Sequence, residues 1–186
     1  MENKKFIFGF VGLLSSGKGT AGQYLQKKYK ASFFTFSQVL RDVLKRFHLE
    51  ISRDYMIKLS EIMREAFGED LLSKNIAQDV SEAETQYIVV DGIRRESDLI
   101  HLSQLPGFVL VAIEASEQVR YERLVKRGQN TDDATKTFEQ FKADHTRSTE
   151  MSILDVLPLA IEHIDNNGTL EQLHAQLDAL VKKYTA

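Results

Sequence analysis

An apolar run, Phe6-Ile7-Phe8-Gly9-Phe10-Val11, passes directly into Gly12-Leu13-Leu14-Ser15-Ser16-Gly17-Lys18-Gly19-Thr20. Four residues separate Gly12 from Gly17, and Lys18 follows at once. This is the G-x4-G-K spacing of a phosphate-binding loop, which demands a strand before it and a helix after it. Small residues let consecutive backbone N–H groups curl around a phosphate, and the positive end of the following helix favours the anion. The lysine adds a point charge for the terminal phosphates. The apolar run supplies the strand. Ala21 and Leu25, with Gln23, Gln26, Lys27 and Lys28 on the other face, predict a helix from about Gly17 to Tyr29. The rival reading is a short signal peptide, with Lys4-Lys5 ahead of the run and Ser15-Ser16-Gly17 as its exit. Gly9 and Gly12 within the run, and Lys18 where cleavage would fall, oppose it. A chance match in an ordinary turn would need neither flanking element.

Composition narrows the setting. A chain of 186 residues fits one α/β domain over 1–186 and is long enough to bury about 70% of its unfolded surface. Cysteine is absent, which excludes disulfides, thiolate metal sites and a zinc-clasped lid. The net charge of −3 gives no basic surface for nucleic acid, and no apolar run approaches the ~20 residues of a membrane helix. No nucleic-acid or membrane partner is expected, and a cytoplasmic location follows by default. Neither repeats nor Gly/Ser-rich linkers interrupt the chain.

Beyond the loop, helical and strand-like segments alternate. Phe33–Phe36 reads as a strand, and Ser37 as the N-cap of a helix reaching Phe47. From Ser52 to Glu84 the pattern is helical and divides near Gly68. Tyr87-Ile88-Val89-Val90 is a β-branched run suited to a strand buried on both faces, ending at Asp91-Gly92. A helix over about Glu96–Gln104, a strand at Phe108–Ile113 and a helix capped by Ser116 follow. Residues 128–133 are polar, Phe138 and Phe141 mark another helix, and the segment to Pro158 has no clear pattern. Ala160–Ile164 reads as an edge strand and Asn166-Asn167-Gly168 as a turn. Thr169 with Gln172 forms a capping box before a Leu-lined helix. Five strand–helix alternations predict a three-layer α/β fold around a five-stranded parallel sheet, with the loops after the strands gathered on one edge.

The residues that suit phosphoryl transfer fall on those loops. Thr20 is placed to bond a phosphate oxygen. Gly19 occupies the position where the general motif has a magnesium-ligating hydroxyl, which points to a metal held through water. Asp91, at a strand end, suits a carboxylate that orients metal-bound water; the alternative is a turn aspartate before Gly92. Arg41, Arg64, Arg94, Arg95, Arg123, Arg127 and Arg147 supply planar guanidinium groups that match phosphate geometry, although any one of them could be an ordinary surface charge. The histidines show no paired metal spacing, and Asp132-Asp133 suits a helix start.

The loop Gly12–Thr20 resembles the G-x-P-G-x-G-K-G-T loop of adenylate kinases and related nucleoside monophosphate kinases. Phe36-Ser37-Gln38-Val39-Leu40-Arg41 looks like the segment carrying that family's acceptor-phosphate arginine, here Arg41. Asp91-Gly92-Ile93-Arg94-Arg95 is similar to its D-G-F-P-R, with Arg94 or Arg95 as the match. Arg123 to Asp133 resembles the lid's R-L-x-x-R-G-R-x-D-D, and Asp165–Leu170 the end of its last strand. The resemblance implies transfer of the γ-phosphoryl of ATP, with Mg2+, to a (deoxy)nucleoside monophosphate. It implies a donor site of Gly12, Ser15, Ser16, Gly17, Lys18, Gly19, Thr20, Arg123 and Arg127. On the acceptor side it implies Ser37, Arg41, Arg64, Arg94 and Arg147. Lys18, Asp91, Arg94 and Arg127 would be catalytic, Asp91 meeting the metal through water. Residues of about 37–84 would form a helical acceptor region and about 128–149 a short lid, in a monomer or homodimer whose partner is the small-molecule phosphate acceptor.

Leu14-Ser15 replaces the family's Pro-Gly, Ile93-Arg94 its Phe-Pro, and Gln129 a lid arginine, so the acceptor base and sugar stay open. Dephospho-CoA kinase is the alternative acceptor class, although its usual acidic pair after the second strand is here Phe36-Ser37. A nucleotide-binding regulator without turnover is the alternative of another kind, and it would not need arginines on both sides of a phosphoryl group.

Overall fold

The structure is a computed structural model and describes residues 4–127, 136–144 and 148–185. β1 (Phe6–Val11) is buried along its whole length because it is the middle strand of a sheet covered on both faces. The sheet order is β2 (Ser32–Thr35), β3 (Tyr87–Ile93), β1, β4 (Phe108–Glu114), β5 (Glu162–Asp165), and every pairing is parallel. Successive β1 side chains enter opposite layers, as strand geometry requires. Phe6, Phe8 and Phe10 pack with Ala21 and Leu25 of α1 (Lys18–Tyr29) and with Leu173 and Leu177 of α8 (Leu170–Thr185). Ile7 and Val11 pack with Leu40 of α2 (Phe36–Arg46), Leu72 and Ile76 of α4 (Leu71–Glu82), and Ile153 of α7 (Ser148–Val156). The chain places β3 on one side of β1 and β4 on the other. That reversal opens a crevice at the carboxyl ends of the strands, where ligands of such sheets bind. α3 (Arg53–Phe67), α5 (Glu117–Arg127) and α6 (Phe138–Asp144) complete the helices of the described residues.

The three-layer fold and five-stranded parallel sheet are as expected, with local corrections. Thr35, not Ser37, caps α2: its extended backbone ends β2, and its Oγ1 accepts from Gln38 N at 3.0 Å. β3 does not stop at Asp91-Gly92 but continues to Ile93, because Gly92 at φ 93° takes a conformation that side chains resist. The helix expected over Glu96–Gln104 is instead two 3-10 turns, Glu96–Asp98 and Leu102–Gln104. The Asp98 carboxylate accepts from the amides of Arg94 and Arg95 and closes the first of these turns. α7 escaped the sequence pattern because few of its apolar positions, such as Ile153 and Val156, face the core. Of the lid expected over 128–149, residues 128–135 and 145–147 lie outside the described residues, Arg147 among them, as does the side chain of Arg127.

Candidate active site

The loop between β1 and α1 is built around positions that reject side chains. A Cβ on Gly12 would run into the carbonyl oxygen of Ile113, and one on Gly17 into the side-chain amide of Asn166. Gly17 also caps α1 with φ 104°. Ser15 adopts φ 62°, a left-handed conformation unusual for a residue with a Cβ, at the position where the family resemblance has glycine. Lys18 folds back over its own loop, and its Nζ donates to Gly12 O at 2.6 Å and Leu13 O at 3.2 Å.

Two side chains grip the loop from the β4–β5 side. Asn166, 4% exposed, donates from Nδ2 to Ser16 O at 2.7 Å, while its backbone N donates to Glu114 O at 2.7 Å. Its Oδ1 accepts from Arg123 Nη2 at 3.5 Å. Arg120 is also 4% exposed; it donates to Leu14 O and Ala115 O, both at 3.2 Å, and lies over the Phe141 ring. Sequence reasoning assigned neither residue to the site. Asn166 read as part of a turn and Arg120 carries no pattern of its own, because their contacts to the loop run to residues more than a hundred positions away.

Asp91 stands at a register shift between β1 and β3, where Phe10 pairs with Asp91 but Val11 pairs with Ile93. Bulges of this kind re-aim a side chain beside active sites. On the far side, Arg41 Nη1 donates to Ser37 Oγ at 2.7 Å. Arg64 is 5% exposed and pairs with Asp98 at 2.6 Å. It also donates to Ser60 Oγ, Ser97 Oγ and the Glu69 carbonyl, which leaves one of its five N–H groups. The Arg94 side chain has no hydrogen-bond or ionic partner among the described residues.

The loop, Asp91 and the arginines Arg41, Arg64 and Arg94 border one cavity of about 1180 Å³, above the ~300–1,000 Å³ typical of a pocket for a single small ligand. The expected donor residues Gly12, Ser15, Ser16, Gly17, Lys18, Gly19, Thr20 and Arg123 line it, and so do Asp91, Ser37, Arg41, Arg64 and Arg94. Four buried polar atoms on this wall lack any hydrogen-bond partner: Ser15 Oγ, Ser16 Oγ, Asp91 Oδ1 and Arg123 Nη1. Leaving one such group unpaired costs about 1–3 kcal/mol. Desolvation also pushes the Arg123 guanidinium below its ordinary pKa. All four belong to residues that line the cavity. Among the described residues no group of three or more His, Cys, Asp or Glu side chains is arranged to hold a metal ion.

A family model described as an AAA domain matches residues 11–142, which run from the end of β1 through α6. The chain belongs to this AAA domain family. The chain is 27% identical over 177 residues to a UPF0200 protein of Sulfurisphaera tokodaii, covering 95% of this chain and 96% of that one. The solved structure of TT1252 from Thermus thermophilus shares the fold with a TM-score of 0.65 at 16% identity, covering 98% of this chain and 100% of the other. A shikimate kinase from Acinetobacter baumannii, solved in complex with shikimate, gives a TM-score of 0.58 at 13% identity, covering 98% and 96%. The AAA domain chain therefore has the P-loop kinase fold. Among its described residues no helix is long and apolar enough to cross a membrane.

Proposed function

We propose that the protein is a phosphotransferase that moves the γ-phosphoryl of ATP to the phosphate of a (deoxy)nucleoside monophosphate. The observation that carries this reading is the set of four unpartnered buried atoms shared between the loop, Asp91 and Arg123. A polyphosphate with a hydrated cation fits that set: hydroxyls and a guanidinium donate to phosphate oxygens, and a carboxylate oxygen accepts from metal-bound water.

In this reading the amides from Ser15 to Thr20 cradle the donor phosphates, with Thr20 adding its hydroxyl. Lys18 leaves the carbonyls of Gly12 and Leu13 and swings to the terminal phosphates. Arg123, steadied by Asn166, approaches from α5, and Arg127 and Arg147 close from the lid side. Bound Mg2+ would neutralise charge between the β- and γ-phosphates, and Asp91 would orient its water shell. Arg41, with Ser37 setting its angle, and Arg94 hold the acceptor phosphate, to which Arg64 adds its remaining N–H. No general base is needed, because the attacking phosphate oxygen is already an anion. Residues of about 37–84 close over the acceptor and exclude water.

A screen of ATP consumption with every ribo- and deoxynucleoside monophosphate, dephospho-CoA and shikimate tests the proposal. Turnover with a nucleoside monophosphate is expected. Exclusive use of dephospho-CoA or shikimate would reassign the acceptor, and ATP binding without turnover would favour a regulator.

A further inference from the structure

Asp98 follows the loop after β3, lines the cavity at 2% exposure and joins three parts of its Arg64–Arg94 end. Oδ1 accepts from Arg64 Nη2 at 2.6 Å, which ties it to α3. Oδ2 accepts from the backbone amides of Arg94 at 2.9 Å and Arg95 at 3.1 Å, which fixes the turn after β3. Its own carbonyl accepts from Ser73 Oγ of α4 at 2.8 Å. Burying an ion pair of this kind is often no better for stability than burying apolar groups of similar volume, so cohesion alone is a weak account of it.

We infer that Asp98 is a positioning residue for the acceptor phosphate. This rests on the function proposed above and extends it to a residue that acts through Arg64 and the turn after β3. One carboxylate sets both arginines: it holds Arg64 by the side chain and Arg94 by the backbone. It also neutralises the Arg64 charge, so that Arg41 and Arg94 are left as the cations facing a phosphate monoester of charge about −1.5 to −2. Without the Asp98 charge, the Arg64 guanidinium is released toward the anion and the Arg94 turn loses its anchor. The two arginines then no longer present a fixed pair of donors.

The test compares Asp98→Asn, Arg64→Met and the double variant, with KM for ATP and for the best nucleoside monophosphate measured separately. Asp98→Asn should raise the acceptor KM about tenfold and leave the ATP KM within about twofold, and the double variant should fall short of the product of the single effects. Equal rises in both KM values, or an unchanged acceptor KM, would overturn the assignment. Asp178→Asn, remote from the cavity, serves as the control for general loosening and should move neither KM. If Asp98→Asn does not fold, Asp98→Glu keeps the charge but displaces it by one methylene; a smaller rise confined to the acceptor KM supports the role, and no rise overturns it.

If the wild type uses no nucleoside monophosphate, the proposed function falls but the positioning role is still read. Inorganic phosphate is then titrated while the Arg94 and Arg95 amide resonances are followed. Affinity about tenfold weaker in the variant supports the role. Equal affinity, or no response in the wild type, refutes it.

Discussion

The two ends of the cavity are built on different plans. At the loop end, Asn166 and Arg120 reach in from distant segments and bond the carbonyls of Ser16 and Leu14, which fixes a frame that holds buried, unpaired polar atoms. At the other end two arginines already have protein partners, Arg41 on Ser37 and Arg64 on Asp98, while the Arg94 side chain has none among the described residues. α3 buries Arg64 but leaves Ile62 and Phe67 51% and 72% exposed. A rigid end binds without rearrangement, while an end whose donors must change partners binds by moving. In the proposed reading the loop backbone is held in place and only Lys18 must leave its two carbonyls, whereas at the opposite end Arg41 and Arg64 must both change partners.

The largest effect tests that asymmetry directly. Lys18→Ala removes the charge that meets the terminal phosphates, and turnover should fall by about 10²–10³, the scale of losing one preorganised donor to a developing charge. ATP binding measured by calorimetry should weaken with it. Arg41→Ala should leave ATP affinity alone and raise the acceptor KM about tenfold to a hundredfold, the scale of one charge-assisted bond. Unchanged turnover of Arg41→Ala with every acceptor would remove Arg41 from the site and the two-ended division with it.

Next in size is Asn166→Ala, which unpairs the buried carbonyl of Ser16 and frees Arg123. The loss should be about 1–3 kcal/mol in chemical denaturation. The ATP KM should rise several-fold while the acceptor KM holds. A rise in the acceptor KM alone would mean that Asn166 serves the opposite end.

These residues also show why some of the site was readable in advance and some was not. The loop was plain because G-x4-G-K records demands of the backbone itself, and the structure displays them as contacts of Gly12 and Gly17 that leave no room for a side chain. The Thr169–Gln172 capping box was plain for the same local reason, and both of its bonds are present. Thr35 and Ser37 are two hydroxyl residues at one helix start, and pattern alone cannot choose between them. Arg120 has no local signature, Asn166 shows in the pattern only as part of a turn, and the tie of Asp98 to Arg64 joins residues 34 positions apart. Their roles exist only once β4, β5 and α3 have brought them to the loop and to the turn after β3.

A smaller effect concerns the frame behind the donor end. Asp178 on α8 accepts from Lys28 and from the hydroxyls of Tyr24 and Tyr29 on α1, which pins the two helices together. Burial raises the Asp178 pKa, but the bonds from Lys28, Tyr29 and Tyr24 outweigh it, and the carboxyl lies below its ordinary value. A depressed carboxyl stabilises the fold above its unfolded pKa of about 3.9, and this is lost as pH falls through the lower folded value. Asp178→Asn should therefore lower stability at neutral pH and flatten the decline on the acid side. Parallel stability curves for variant and wild type would show that another group governs that limb.

The smallest effect is the most local. Ser15 holds φ 62° where glycine would sit without strain, and its Oγ is one of the unpaired buried atoms. Such a conformation costs a side-chain-bearing residue about 1–2 kcal/mol, against about 0.5–1 kcal/mol of extra unfolded-state entropy for glycine. Ser15→Gly should thus stabilise the free protein by up to about 1 kcal/mol, or roughly 2–4 °C in Tm. If the hydroxyl belongs to the phosphate cradle, the same change should weaken ATP binding a few-fold. Greater stability with poorer binding would mean that the loop stores its strain and its unmet hydrogen bond for the ligand. Greater stability with unchanged binding would take Ser15 out of the cradle and leave the remaining loop residues to hold the donor.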